Sequence, residues 1–138
     1  MDLQSATRAK PADSEKITIN LGFVDLGQID LLVREGFYAN RTDMVRTAIR
    51  NQIERHADAV RHSIARKTMA VGLRYFTREE LERVRASGER LQIHVLGLAS
   101  IAGDVSGELA RETIASVHVL GAFQASAEVR RALADRTE

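Results

Sequence analysis

The sequence predicts an α+β chain: one short strand, two helices, then a run of alternating strands and helices. Three observations carry that reading. Lys16 to Leu21 alternates strictly, Ile17, Ile19 and Leu21 against Lys16, Thr18 and Asn20, which is the period of a half-buried strand. Apolar residues then recur at helical spacing, first as Leu26, Ile29, Leu32 and Val33, then as Val45, Ala48, Ile49 and Ile53. Finally, "IHVLG" at 93–97 returns as "VHVLG" at 117–121, an offset of 24 residues.

Residues 1–13 are small, polar and charged, hold the only proline (Pro11), and are expected to form a flexible arm; Arg8 and Lys10 could touch phosphate, a solvated tail being the plainer reading. The strand follows. Gly22 to Val24 turn the chain, and Asp25 is placed to cap the first helix. Gly36 ends that helix as a left-handed residue would. Asn40 is a good N-cap for the second helix, and Asp43 puts a negative charge in its first turn, where the helix dipole favours it. No Gly or Pro intervenes before Gly72, so this helix is expected to run on through "ERHADAVRHSIARK" as a long connector. Residues 14–66 thus form one domain.

Residues 67–138 form the second. "TMAVGLRYF" reads as a strand and "TREELERVRAS" as a helix, with Thr77 as N-cap and Glu80 at the capping-box position. "ERLQIHVLGLASIA" and "SVHVLGAF" read as strands, "SGELARETIA" and "SAEVRRALAD" as helices. The 24-residue offset also matches Asp104 with Glu128, Val105 with Val129, Leu109 with Leu133 and Ala110 with Ala134. Such units predict stacked parallel strands with helices on one side, a short solenoid. Its apolar positions (Ile93, Val95, Leu109, Val117, Val119) and an unpaired edge point to oligomerisation; effector sensing is the alternative.

Composition narrows the function. A hydrophobic fraction of 44% is that of a globular protein, not a disordered one. With aromatics at 4%, the core must be aliphatic. The absence of cysteine excludes disulfides and thiolate metal sites. No leader-like segment and no apolar run of membrane length stand in the sequence, so the expected compartment is a reducing cytoplasm. Lys and Arg number ten against nine Asp and Glu in residues 1–66, and ten against ten in 67–138. Neither half is a polycation, so any nucleic-acid contact must come from placement. There is no Walker loop, nucleophile elbow or HExxH, so no enzyme activity and no cofactor are expected.

A lone strand leaves its backbone groups unpaired, and the simplest partner is a second copy of itself, antiparallel about a two-fold axis. Ile17, Ile19 and Leu21 of both copies would then face the helices. Lys16, Thr18 and Asn20 would make a six-residue polar plaque on the other side. A two-stranded ribbon fits the major groove of B-DNA, where Lys donates to guanine, Asn pairs with adenine, and Thr meets a base edge or the thymine methyl.

"KITINL" followed by "IDLLVREGFYANRTDMVRTAIR" resembles the ribbon-helix-helix DNA-binding proteins, the MetJ/Arc/CopG superfamily, over about residues 14–56. The turn that carries the likeness runs from Gly36 to Arg46; "GFVDLG" departs from the proline or plain polar turn that many members have after the strand. The resemblance implies an intertwined homodimer on double-stranded DNA, with Lys16, Thr18 and Asn20 as base readers. It also implies that Asn40, Arg41 and Thr42 hold a phosphate through backbone N–H groups and the helix dipole, with Arg46 a further phosphate candidate. The expected function is a sequence-specific transcriptional regulator of repressor type, a dimer open to higher assembly through residues 67–138. An antitoxin that autoregulates through the same module and holds a protein partner is the alternative.

His94 and His118 occupy equivalent places in the two repeats. In register they would lie about 4.8 Å apart on the outward face, as adjacent strands do. A metal ligand pair or a pH switch is one reading, but no third ligand repeats beside them, and a polar surface ladder is the plainer one.

Overall fold

The structure, a computed structural model, describes residues 14–138, and the expected N-terminal arm, residues 1–13, lies outside the described residues. Two units are present, Glu15–Arg66 and Lys67–Glu138. Among the described residues six α-helices and a three-stranded parallel sheet account for the regular structure. No helix among them is long and apolar enough to cross a membrane.

In the first unit, residues 14–22 belong to neither a helix nor a ladder within the single chain, and all of them are exposed. A strand exists through its hydrogen-bonded neighbour, and one copy supplies none. Helix α1 spans Phe23–Arg34, with Gly22 as an N-cap that offers no side-chain bond. It begins inside "GFVDLG", so Asp25 lies in its first turn and is not its cap. Gly36, at φ 87°, ends it. The Phe37 N–H donates to Leu32 O and the Gly36 N–H to Val33 O, so the closing turn satisfies two otherwise orphaned carbonyls.

Helix α2 spans Arg41–Arg55. The long connector is not continuous: the chain leaves helical geometry at His56 (φ −102°, ψ 15°) and resumes as α3, Ala57–Lys67. The His56 N–H bonds back three residues to Ile53 O, tightening the last turn of α2 and ending it without Gly or Pro.

The second unit alternates β1 (Ala70–Phe76), α4 (Arg78–Ser87), β2 (Leu91–Ile101), α5 (Gly107–Thr113), β3 (Ile114–Gln124) and α6 (Ala127–Ala132), with a 3-10 turn at Ala134–Arg136. The strands run parallel in the order β1-β2-β3. Register follows the repeat: His94 faces His118, Val95 faces Val119, and Gly97 faces Gly121. Each helix is capped alike. Thr77 accepts from the Glu80 N–H, Ser106 from Leu109, and Ser126 from Val129, each an acceptor for an otherwise unpaired amide.

One core lies between the sheet and its helices. Strand residues Phe76, Ile93, Val95, Ala99, Ile101 and Val117 meet Leu81 of α4, Leu109 and Ala110 of α5, and Val129 of α6. Leu109 is thus a helix residue, and Ile93, Val95 and Val117 are buried within their own chain. The apolar positions expected to join copies are therefore interior.

The glycines of the repeat stack. Gly72 faces Gly97 and Gly97 faces Gly121, at φ 126°, 137° and 121°. A Cβ on Gly97 would stand 2.2 Å from Gly72 O, and one on Gly121 2.1 Å from Gly97 O. Only glycine adopts this backbone and lets the strands approach.

The two sheet edges differ. The chain end covers β3: Thr137 bridges Val117, and the Glu138 N–H donates to Val117 O at 2.9 Å. Among the described residues, β1 pairs with β2 alone.

Candidate nucleic-acid interface

Lys16, Thr18 and Asn20 lie on the extended segment before α1, every one exposed. They alternate with Ile17, Ile19 and Leu21, which are 72%, 59% and 42% exposed. The helices behind them show the same imbalance. Ile29 is the only buried hydrophobic of α1, and α2 and α3 have no buried residue. Phe23, Val24, Leu31, Phe37, Ile49 and Ile53 all face solvent in the single chain. So much uncovered apolar surface on so small a unit is the mark of an interaction face.

The start of α2 is tightly organised. Asn40 Oδ1 accepts from the Asp43 N–H at 2.8 Å, and Asp43 Oδ2 reaches back to accept from the Ala39 N–H at 2.9 Å. Thr47 Oγ1 donates to Asp43 O at 2.8 Å. The amides of Arg41 and Thr42 stand in the first turn, where no carbonyl lies one turn before them and the helix dipole is positive. This end of a 15-residue helix is suited to an anion.

The Arg41 side chain is engaged elsewhere. Its Nε and Nη2 donate to Asp30 Oδ1 and Oδ2 of α1 at 2.7 and 2.8 Å. That contact holds the Asp30 carboxyl below the usual carboxylate range, by hydrogen bonding first and then by the charges of Arg41 and Arg34; the Arg41 guanidinium is raised in turn. Arg41 thus offers its backbone at the helix start while its guanidinium fastens α2 to α1. Nothing in the sequence singles out Asp30, because its partner stands 11 residues away across a turn. Arg46 is exposed one turn further along α2. The base-reading candidates and the phosphate candidates therefore occupy two separate elements.

His94 and His118 do stand together, their ring centroids 4.6 Å apart and their planes at 78°. His118 Nδ1 is 2.9 Å from Glu138 Oε2. Both Nε2 atoms are buried without a hydrogen-bond partner. Among the described residues no group of three or more His, Cys, Asp or Glu side chains is arranged to hold a metal ion.

A family model described as "Ribbon-Helix-Helix transcriptional regulator family" matches residues 12–130. The match runs well past residue 56 and takes in the strand–helix units. No curated protein and no solved structure matches the chain.

Proposed function

The chain belongs to the ribbon-helix-helix transcriptional regulator family, and from that premise we propose that it is a sequence-specific DNA-binding repressor. Two copies pair residues 16–21 into an antiparallel ribbon. Lys16, Thr18 and Asn20 of each copy read base edges in the major groove. The α2 N-termini, at Asn40, Arg41 and Thr42, take one phosphate each through backbone amides, and Arg46 adds a charge contact. Repression follows from occlusion of a promoter.

One observation carries the reading. The unit Glu15–Arg66 leaves Ile17, Ile19 and Leu21 exposed beside exposed helix residues, and it alternates them with three polar side chains suited to base edges. Pairing with a second copy supplies the missing ladder and covers the apolar side in one step. The polar side is then left facing outward.

The test is selection from a pool of random duplex DNA, with the wild type beside Lys16→Ala/Thr18→Ala/Asn20→Ala. A short repeated motif enriched by the wild type and lost in the triple variant supports the reading. Equal enrichment by both moves base reading elsewhere. Enrichment by neither makes the ribbon a dimerisation device alone.

A further inference from the structure

Where β2 and β3 begin, the C-terminal unit holds a cleft of about 400 Å³, within the roughly 300–1,000 Å³ of small-molecule sites. Among the described residues its charged lining is Lys67, Arg136 and Glu138, set around His94 and His118. Lys67 is exposed, and its ammonium has no hydrogen bond or ion pair among the described residues. Arg136 is fixed in place, its Nη1 donating to Arg111 O at 2.7 Å and to Ile114 O at 2.9 Å. Carbonyls orient a guanidinium without cancelling its charge. Asp135 stands 4.0 Å from Arg136 Nε, and its carboxylate is taken by Arg111 at 2.9 Å.

The acceptors in the cleft are already engaged, while its donors are not. Glu138 Oε2 stands 2.9 Å from His118 Nδ1, so as a carboxylate it accepts from that ring. Gln92 and Ser116 line the cleft as well, and their side chains are unbonded among the described residues. Each can donate a proton. A cation would find one carboxylate, spent on His118, and no set of three His, Cys, Asp or Glu side chains among the described residues.

We propose that this cleft binds a small oxyanion, a ligand whose carboxylate or phosphate-like oxygens accept from Lys67, Arg136, Gln92 and Ser116. Charge-assisted bonds of this kind are the strong ones. The histidine pair gives the site a second property. Both Nε2 atoms are buried without a partner, whereas a buried polar atom ordinarily has one. With Nδ1 of His118 turned to Glu138, its Nε2 carries a proton only in the imidazolium form. An anion beside the two rings favours that form, so anion binding and proton uptake on the pair are one linked event. The site depends neither on the pairing of residues 16–21 nor on contact with DNA.

The chain has four histidines, so the ring resonances of His94 and His118 can be followed one by one in the full chain. They report this cleft apart from any anion held at the start of α2. Sulfate and succinate are titrated in turn, with ionic strength held constant by chloride. The proposal expects both rings to shift saturably toward imidazolium. Sulfate keeps its charge across the range in which imidazole titrates, and it should bind more tightly at about pH 6 than at about pH 8. Lys67→Gln should weaken binding about fivefold, the upper end for an exposed charge, and Ser116→Ala should weaken it further in combination. Arg83→Gln, which removes a charge from the exposed side of α4 outside the cleft, should leave it unchanged. Tighter binding of sulfate points to a phosphate-like ligand, tighter binding of succinate to a carboxylate. Lys67 is exposed and unbonded, so its variant should stay folded. Ring shifts that never saturate overturn the proposal, as does a saturable shift indifferent to Lys67→Gln/Ser116→Ala.

Discussion

The guanidinium of Arg41 grips the carboxylate of Asp30 at two points, 2.7 and 2.8 Å, and so fixes the start of α2 against α1. Asp30 is held below the usual carboxylate range by that contact. Its folded value therefore lies below its unfolded one. The stabilisation is fully present above the unfolded range, about pH 3.9, and is lost as pH falls through the folded value. Asp30→Asn should lower the melting temperature modestly at pH 7, and the gap to wild type should close at more acidic pH. A gap that does not change with pH would show that the pair contributes nothing through charge.

Base readers and phosphate holders should separate by salt and by sequence. Asn20→Ala should cost about 1–3 kcal/mol against the preferred site and little against random DNA. Arg46→Ala should weaken both about equally, and the slope of log affinity against log salt should fall by about one for each phosphate left without its cation. Titrations at several salt concentrations with matched and scrambled duplexes make the comparison. Identical behaviour of the two variants would contradict the division of roles.

The glycine stack makes a harsher demand. Gly97→Ala places a methyl 2.2 Å from Gly72 O in a backbone that side chains do not adopt. Strand pairing must give way, at a cost above about 3 kcal/mol. Gly72→Ala has the same backbone strain but meets no atom within 4 Å. It should be the milder change, and chemical denaturation of the two variants should rank them in that order.

Thr68, directly after α3, holds φ 53°, a left-handed value that is costly for a β-branched residue. Thr68→Gly should relieve that strain and stabilise the protein by up to about 1 kcal/mol, after the entropic disadvantage of glycine is set against it. An unchanged or lowered denaturation midpoint would mean that the threonine side chain supplies a compensating interaction.

Legibility in the sequence follows the kind of signal each element leaves. The 24-residue echo of "IHVLG" foretells parallel stacking and the meeting of His94 with His118, because register in a repeat is set by its period. Asn40 and Gly36 announce their roles, since caps depend on local chemistry. The break at His56 leaves no such mark: no Gly or Pro stands there, and the interruption lies in one tightened turn. The early start of α1 is equally silent, because Gly22 caps it without a side chain. The grip of Arg41 on Asp30 cannot be read from spacing either, as it depends on how the two helices pack. The glycines of "VLG" are visible as a repeat, but their necessity needs the position of the neighbouring carbonyl.

The closure of β3 by Thr137 and Glu138, with β1 paired among the described residues to β2 alone, has a consequence for how this unit changes length. Among the described residues each strand pairs with its sequence neighbours, and the chain end is hydrogen-bonded to the last strand. An in-frame duplication of Gly97 to Leu120, one 24-residue period, adds a rung whose glycine falls in line. The terminal strand keeps its lid and the first strand keeps its neighbour. The height of the stack is free to vary in whole rungs, as a ladder is extended from the middle.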